Sequence, residues 1–144
     1  MSDSHQGRLV VGVDLVSVRD VAESLARFGE RYTRRLFTND EIAYCLTDPE
    51  SAPQRFAARF AAKEATMKLL RVRDAEVVNW TSIEIRRAPD GWCDLVLHGK
   101  ARQLAELAGV TDLAVSMSHE LEYATATVIG RRGGQSADRA DELA

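Results

Sequence analysis

Apolar and polar positions change period several times along the chain, and each change marks an element. The run "LVVGVDLVSV" at 9–18 is apolar on both alternating sets of positions apart from Asp14, the pattern of a strand covered on both faces. From about Arg19 to Arg35 the apolar spacing becomes helical. Thr38 with Glu41 three residues on has the form of a capping box that opens a further helix, and Asp48 to Pro53 reads as a loop. Ser51 and Gln54 repeat the capping pattern, with Pro53 near the first helical position, and introduce the helix that contains "FAARFAAKEATMKLL", residues 56–70. After Trp80 strict alternation takes over on either side of Pro89-Asp90-Gly91, which predicts a β-hairpin. "KARQLAELAG" (100–109) is a short amphipathic helix stopped by Gly109, and a second hairpin has strands near 113–118 and 123–129. The Gly-rich, charged remainder from Arg131 to Ala144 has nothing to bury and is expected to be disordered.

With 144 residues, 45% of them hydrophobic, the chain suits one compact domain, placed at 1–130. Cys45 and Cys93 stand far apart and without metal-ligand spacing. No apolar run approaches the roughly 18 residues of a membrane span, and the polar start "MSDSHQGR" is unlike a secretory signal. A cytoplasmic protein with reduced thiols and no membrane partner is expected. A net charge of −3 argues against nucleic acid as a partner, which requires a basic face.

Two carboxylates stand where apolar residues belong. At about 100° per residue, Phe56, Phe60 and Met67 share a narrow arc, and Glu64 lies on its edge with Lys68 one turn further on. Arg59 and Lys63 occupy the other flank, and Ala57, Ala61 and Ala65 keep the surface low. A carboxylate with three cations around one apolar stripe suits a metal plus phosphates; Glu followed by Lys at i,i+4 also suits a surface ion pair worth about 0.3–0.5 kcal/mol. Asp14 is the second anomaly, since a buried carboxylate must be paired, hydrogen-bonded or metal-bound. Gly12, on the same strand face, is expected to leave open space beside it for an ion or a phosphate. In "SMSHE", Ser116 and Ser118 point to one strand face and His119 begins a turn, either as exposed groups or as phosphate donors. No nucleophile elbow, Walker loop, dinucleotide fingerprint or zinc pattern occurs. Two separated carboxylates suit Mg²⁺, which takes one or two carboxylates and completes its shell with water and substrate phosphates.

"GVDLVSV", "RRLFTNDE", "RFAAKEATMKLL" and "VSMSHELEYATATV", in this order over about 10 to 130, resemble the successive motifs of the holo-acyl-carrier-protein synthases, the short 4′-phosphopantetheinyl transferases. The resemblance implies an α+β fold with an antiparallel sheet packed against a long helix, and a homotrimer with active sites between subunits. It implies Mg²⁺-dependent transfer of phosphopantetheine from coenzyme A to a serine of an acyl carrier protein. Residue by residue, it implies Asp14 and Glu64 as Mg²⁺ ligands and Glu64 and Lys68 as catalytic groups. It likewise implies that Arg59, Lys63, Lys68, Ser116 and His119 lie on coenzyme A. Three departures stand out: 69–80 has no glycine where relatives have a Gly-rich turn, Trp92-Cys93 replaces a common Lys-Pro, and Asp20 occupies an often basic position. Arg27, Arg31, Arg34 and Arg35 recur at helical spacing as one basic face, either a dock for an acidic carrier protein or a solvated surface. A non-catalytic coenzyme A or carrier binder and a Mg²⁺-dependent nucleotide phosphohydrolase are the competing functions.

Overall fold

The computed structural model describes residues 7–73 and 78–133. Strand β1 (Arg8–Ser17) runs directly into helix α1 (Val18–Phe28), because the Ser17 hydroxyl accepts the Asp20 N–H at 3.3 Å and caps it. Helices α2 (Glu30–Leu36), α3 (Asn39–Cys45) and the long α4 (Ala52–Leu69) follow. Strands β2 (Ile83–Arg87) and β3 (Cys93–Leu97) form one hairpin, and helix α5 (Gly99–Leu107) leads to a second, β4 (Val110–His119) and β5 (Tyr123–Arg132). Among the described residues there is a three-stranded antiparallel sheet in the order β1-β5-β4 and a separate two-stranded sheet.

The inner face of the larger sheet carries α4, an α+β arrangement with the antiparallel sheet packed on the long helix. Ala57, Ala58, Ala61, Ala62 and Ala65 are all buried, so the helix backbone comes close to the strands. The approach is closest at Gly12, where a side chain would run into the Ala65 carbonyl. The space expected beside Asp14 is therefore filled by helix. Phe37 and Phe56, with ring centroids 4.8 Å apart, anchor the core between α2 and α4.

Four expectations change. β1 is an edge strand, covered on one face only: Leu9, Val11, Val13 and Leu15 are 55–68% exposed. The single helix expected over Arg19–Arg35 is two, because Gly29 takes φ +55° and closes α1 by donating its N–H to the Leu25 carbonyl. Ser51 does not cap α4; its hydroxyl goes to Asp48 at 2.8 Å, while Pro53 sits in the first helical turn as expected. The second hairpin is longer than its apolar alternation, with β5 reaching Arg132 opposite both Arg8 and Val110. Of the expected tail, 134–144 lies outside the described residues. The Thr38–Glu41 capping box and the turn at Gly91 are present as expected.

Candidate active site

Even-numbered residues of β1 face α4, and Asp14 is among them. On α4, Phe60, Glu64 and Lys68 lie one turn apart on the side facing that strand. Lys68 Nζ donates to Asp14 Oδ1 at 2.8 Å and to the Val13 carbonyl at 3.0 Å. Asp14 is mostly covered, its side chain 17% exposed. Lys68, whose spacing also allowed a surface pair with Glu64, is thus held by Asp14. Burial, and then the Asp14 carboxylate, push the Glu64 carboxyl above its ordinary range, with Lys68 opposing. The hydrogen bond to Asp14 raises Lys68 in turn. Both carboxylates open on one cleft of about 510 Å³, floored by Val16, Val21, Leu36 and Phe60. Asp20, Ser24 and Tyr32 also line it; burial pushes the Tyr32 phenol up to about 12, so it stays protonated. Asp20 and Ser24 were legible as partners, since they follow Ser17 on one face of α1. Tyr32 had no local signal, because only the break at Gly29 turns it into the cleft.

Lys63 is a correction. It is fully buried, and its three ammonium protons go to Glu41 at 2.8 Å, the Trp80 carbonyl at 3.0 Å and the Ile83 carbonyl. None is left for a coenzyme A phosphate. Glu41 also accepts the Thr38 and Ile85 N–H groups, so this ion pair ties α3, α4 and β2 together. Beside it, burial pushes the Glu84 carboxyl up, but hydrogen bonds from His98, Thr38 and Arg86 outweigh that and hold it below its ordinary range.

Arg59 is also 4% exposed, on a flank of α4 away from Glu64. Its guanidinium lies 4.4 Å from the Tyr44 ring centre, which Arg55 and Arg87 also approach, at 4.7 and 5.2 Å. Among the described residues Arg59 Nε finds no hydrogen-bond partner. With Arg86 and Arg87 it lines a second concavity of about 420 Å³, to which Asp40 and Glu41 also contribute; Glu41 is paired with Lys63 and Arg86 with Glu84, which leaves Arg59 and Arg87 facing Asp40 as the cations that could meet a phosphate. Sequence spacing singled out Arg59 but missed Arg86 and Arg87, which reach it only through the docking of the first hairpin.

Ser116 lies on the outer face of the sheet opposite Thr127, and His119 ends β4 opposite Ala124. Both are exposed and neither lines the Asp14–Glu64 cleft. The arginine face is divided: Arg27 closes α1 with its guanidinium over Phe28, while Arg31, Arg34 and Arg35 lie on α2, Arg34 paired with Glu30 at 3.3 Å.

Among the described residues no group of three or more His, Cys, Asp and Glu side chains can hold a metal ion. Asp14 and Glu64 are a two-carboxylate set of hard oxygen donors, and Asp14 already holds a cation, the Lys68 ammonium. Such a pair fits Mg²⁺, which needs only one or two carboxylates when phosphates complete its shell. No helix among the described residues is long and apolar enough to cross a membrane.

Residues 10–128 match the family model of the 4′-phosphopantetheinyl transferase superfamily. The chain is 44% identical over 121 residues to a holo-[acyl-carrier-protein] synthase of Koribacter versatilis, covering 84% of this chain and 96% of that one. It is 40% identical over 121 residues to one of Moorella thermoacetica, covering 84% and 92%. The solved ACPS-CoA complex of Chronobacterium ammoniagenes superposes with a TM-score of 0.77 at 34% identity, covering 87% of this chain and 98% of that one.

Proposed function

This chain belongs to the 4′-phosphopantetheinyl transferase superfamily, and we propose that it transfers the 4′-phosphopantetheine group from coenzyme A to a serine of an apo acyl carrier protein, releasing 3′,5′-ADP. The observation that carries the proposal is the convergence of Asp14 and Glu64 on one cleft, with the Lys68 ammonium held on Asp14. The serine attacks the β-phosphorus of a pyrophosphate, whose negative charge repels a nucleophile. Mg²⁺ bound by Asp14 and Glu64 would supply charge neutralisation at that pyrophosphate. Glu64 takes the serine proton. Lys68 turns its ammonium from Asp14 to the bridging oxygen as negative charge builds there on the leaving 3′,5′-ADP. Arg59 with Arg87 provides a second cationic point for a phosphate of the same molecule. Ser116 and His119, which do not line the cleft of their own chain, are assigned in this reading to coenzyme A bound to a neighbouring copy of the homotrimer that the family resemblance implies.

The test is incubation with coenzyme A, Mg²⁺ and a panel of apo acyl carrier proteins, read by intact mass. Glu64→Gln keeps the shape of the side chain and removes its charge, so transfer should fall by at least about 10²-fold, the scale of losing one preorganised electrostatic group. Asp14→Asn should behave alike, and the double variant should be little worse than either, since the two act as a unit. Unmodified carriers with coenzyme A consumed would point to a phosphohydrolase; near wild-type transfer by Glu64→Gln would overturn the site.

A further inference from the structure

If the protein binds coenzyme A as proposed, the reacting pyrophosphate lies against Asp14 and Glu64, and the ribose 3′-phosphate is the group left for Arg59 and Arg87. Two guanidiniums repel each other while no anion lies between them, and burying one without a carboxylate is costlier still. Arg59 is in that position: it is 4% exposed, and its Nε finds no hydrogen-bond partner among the described residues. What it does meet is an aromatic ring. Tyr44, half-buried near the end of α3, has the Arg59 guanidinium 4.4 Å and the Arg87 guanidinium 5.2 Å from its ring centre. Arg55, one turn before Arg59 on α4, also approaches the ring, at 4.7 Å. Its Nη1 donates to the Tyr44 carbonyl at 3.2 Å and to the Thr47 hydroxyl at 2.9 Å, bonds that tie the end of α3 to α4 and fix the ring in place. Tyr44, Arg59 and Arg87 line the concavity of about 420 Å³, and Arg55 does not.

We infer that Tyr44 is a positioning residue for coenzyme A: its ring gathers Arg59 and Arg87 on one concavity before the ligand arrives, so that the 3′-phosphate meets cations already in place. The negative face of a ring attracts a cation most strongly when the cation is desolvated, which is the state of Arg59. Holding the arginines in advance removes an ordering cost from binding. Asp40 lines the same concavity and opposes an anion, so the site depends on both guanidiniums being in position. The role belongs to the ring and not to the phenol hydroxyl. A ring that served only to pack α3 would matter equally to every ligand, so the two roles separate experimentally.

Coenzyme A and 3′-dephospho-coenzyme A, which differ only in that phosphate, are titrated calorimetrically into the full chain with Mg²⁺ present. Wild type should bind coenzyme A more tightly by at least about 10²-fold, and the ratio of the two Kd values measures the phosphate contact. Tyr44→Leu and Tyr44→Gln, which lack the ring, should shrink that ratio by about 10-fold, while Tyr44→Phe should keep it near the wild-type value. A packing defect weakens both ligands alike and leaves the ratio where it was, so an unchanged ratio in the two ring-less variants overturns the assignment. Tyr44→Phe as poor as Tyr44→Leu overturns it too, since the contact would then lie at the hydroxyl. Wild type alone gives a check that needs no variant: in ligand-free protein the NMR signal of the Arg59 Nε–H should already show the ring-current shift of Tyr44. A signal that acquires the shift only when 3′,5′-ADP is added overturns the advance positioning. Equal affinity of wild type for the two ligands leaves the ring nothing to position and sinks the inference. The Kd ratios as expected, with no carrier protein modified, would instead sink the transfer activity and leave the role of Tyr44 standing.

Discussion

Lys63 and Glu64 are adjacent in sequence, yet a rotation of about 100° sends the first into the interior and the second to the cleft. Their substitutions should diverge accordingly. Lys63→Met leaves Glu41 charged, buried and unpaired and strands two carbonyls, so it should destabilise the fold by about 3–5 kcal/mol, measured by urea unfolding. Were Lys63 a phosphate ligand instead, the same change would raise the KM for coenzyme A and leave the unfolding midpoint in place. Glu64→Gln should do the reverse in metal-free protein. The Glu64 carboxyl is raised in the folded state by burial and by Asp14, so its contribution to stability is present below the ordinary glutamate range and is lost as pH rises through the raised value. Replacing it removes that loss. With chelator present, Glu64→Gln should therefore melt higher than wild type at neutral pH, and the advantage should shrink on acidification toward the ordinary glutamate range. A lower melting temperature at neutral pH would mean that Glu64 is a stabilising surface group and not a strained one.

Elements whose signals are local were legible: the Thr38–Glu41 box, the Gly91 turn and the α5 helix each depend on residues within a few positions. The covering of β1 and the break at Gly29 were not, because the first depends on what packs against a strand and the second on one glycine inside an unbroken apolar period. Of the site, the carboxylates were legible as violations of periodicity. The partner of Lys68 was not, because it lies 54 residues away. One element end shows what the missing glycine after α4 costs. Arg71 takes φ +54°, with its N–H on the Lys68 carbonyl and the Val72 N–H on the Met67 carbonyl, the Schellman closure that glycine normally serves. Left-handed backbone costs a side chain about 1–2 kcal/mol, and the greater freedom of glycine in the unfolded chain returns about 0.5–1 kcal/mol of that. Arg71→Gly should consequently stabilise by about 0.5–1 kcal/mol, seen as a higher urea midpoint, whereas Arg71→Ala should give no gain. Equal effects from both would place the origin in the arginine side chain and not in its backbone.

At the scale of the whole molecule, no described residue of the chain covers the outer face of the larger sheet. Val11, Ile129 and Ala114 form one row across the three strands, Val13, Thr127 and Ser116 the next, and Leu15, Thr125 and Ser118 a third. The row ends on β1 are more than half exposed, and β1 is also a sheet edge, a combination that marks an interface or an aggregation site. The proposed homotrimer would cover it, and light scattering should then give three times the 15.9 kDa of the chain. Val13→Lys places a charge in the middle of that face and should yield monomers with little transfer activity. Loss of activity alone does not separate a shared site from a destabilised one, and subunit mixing does. Glu64→Gln chains keep His119, and His119→Ala chains keep Glu64; each homotrimer alone should be poorly active. If coenzyme A lies between the Glu64 of one chain and the His119 of another, co-expressed chains form mixed trimers in which some interfaces have both groups intact, and transfer recovers to a sizeable fraction of wild type. If both groups serve a site within a single chain, no mixture contains an intact site, and recovery is absent at every ratio.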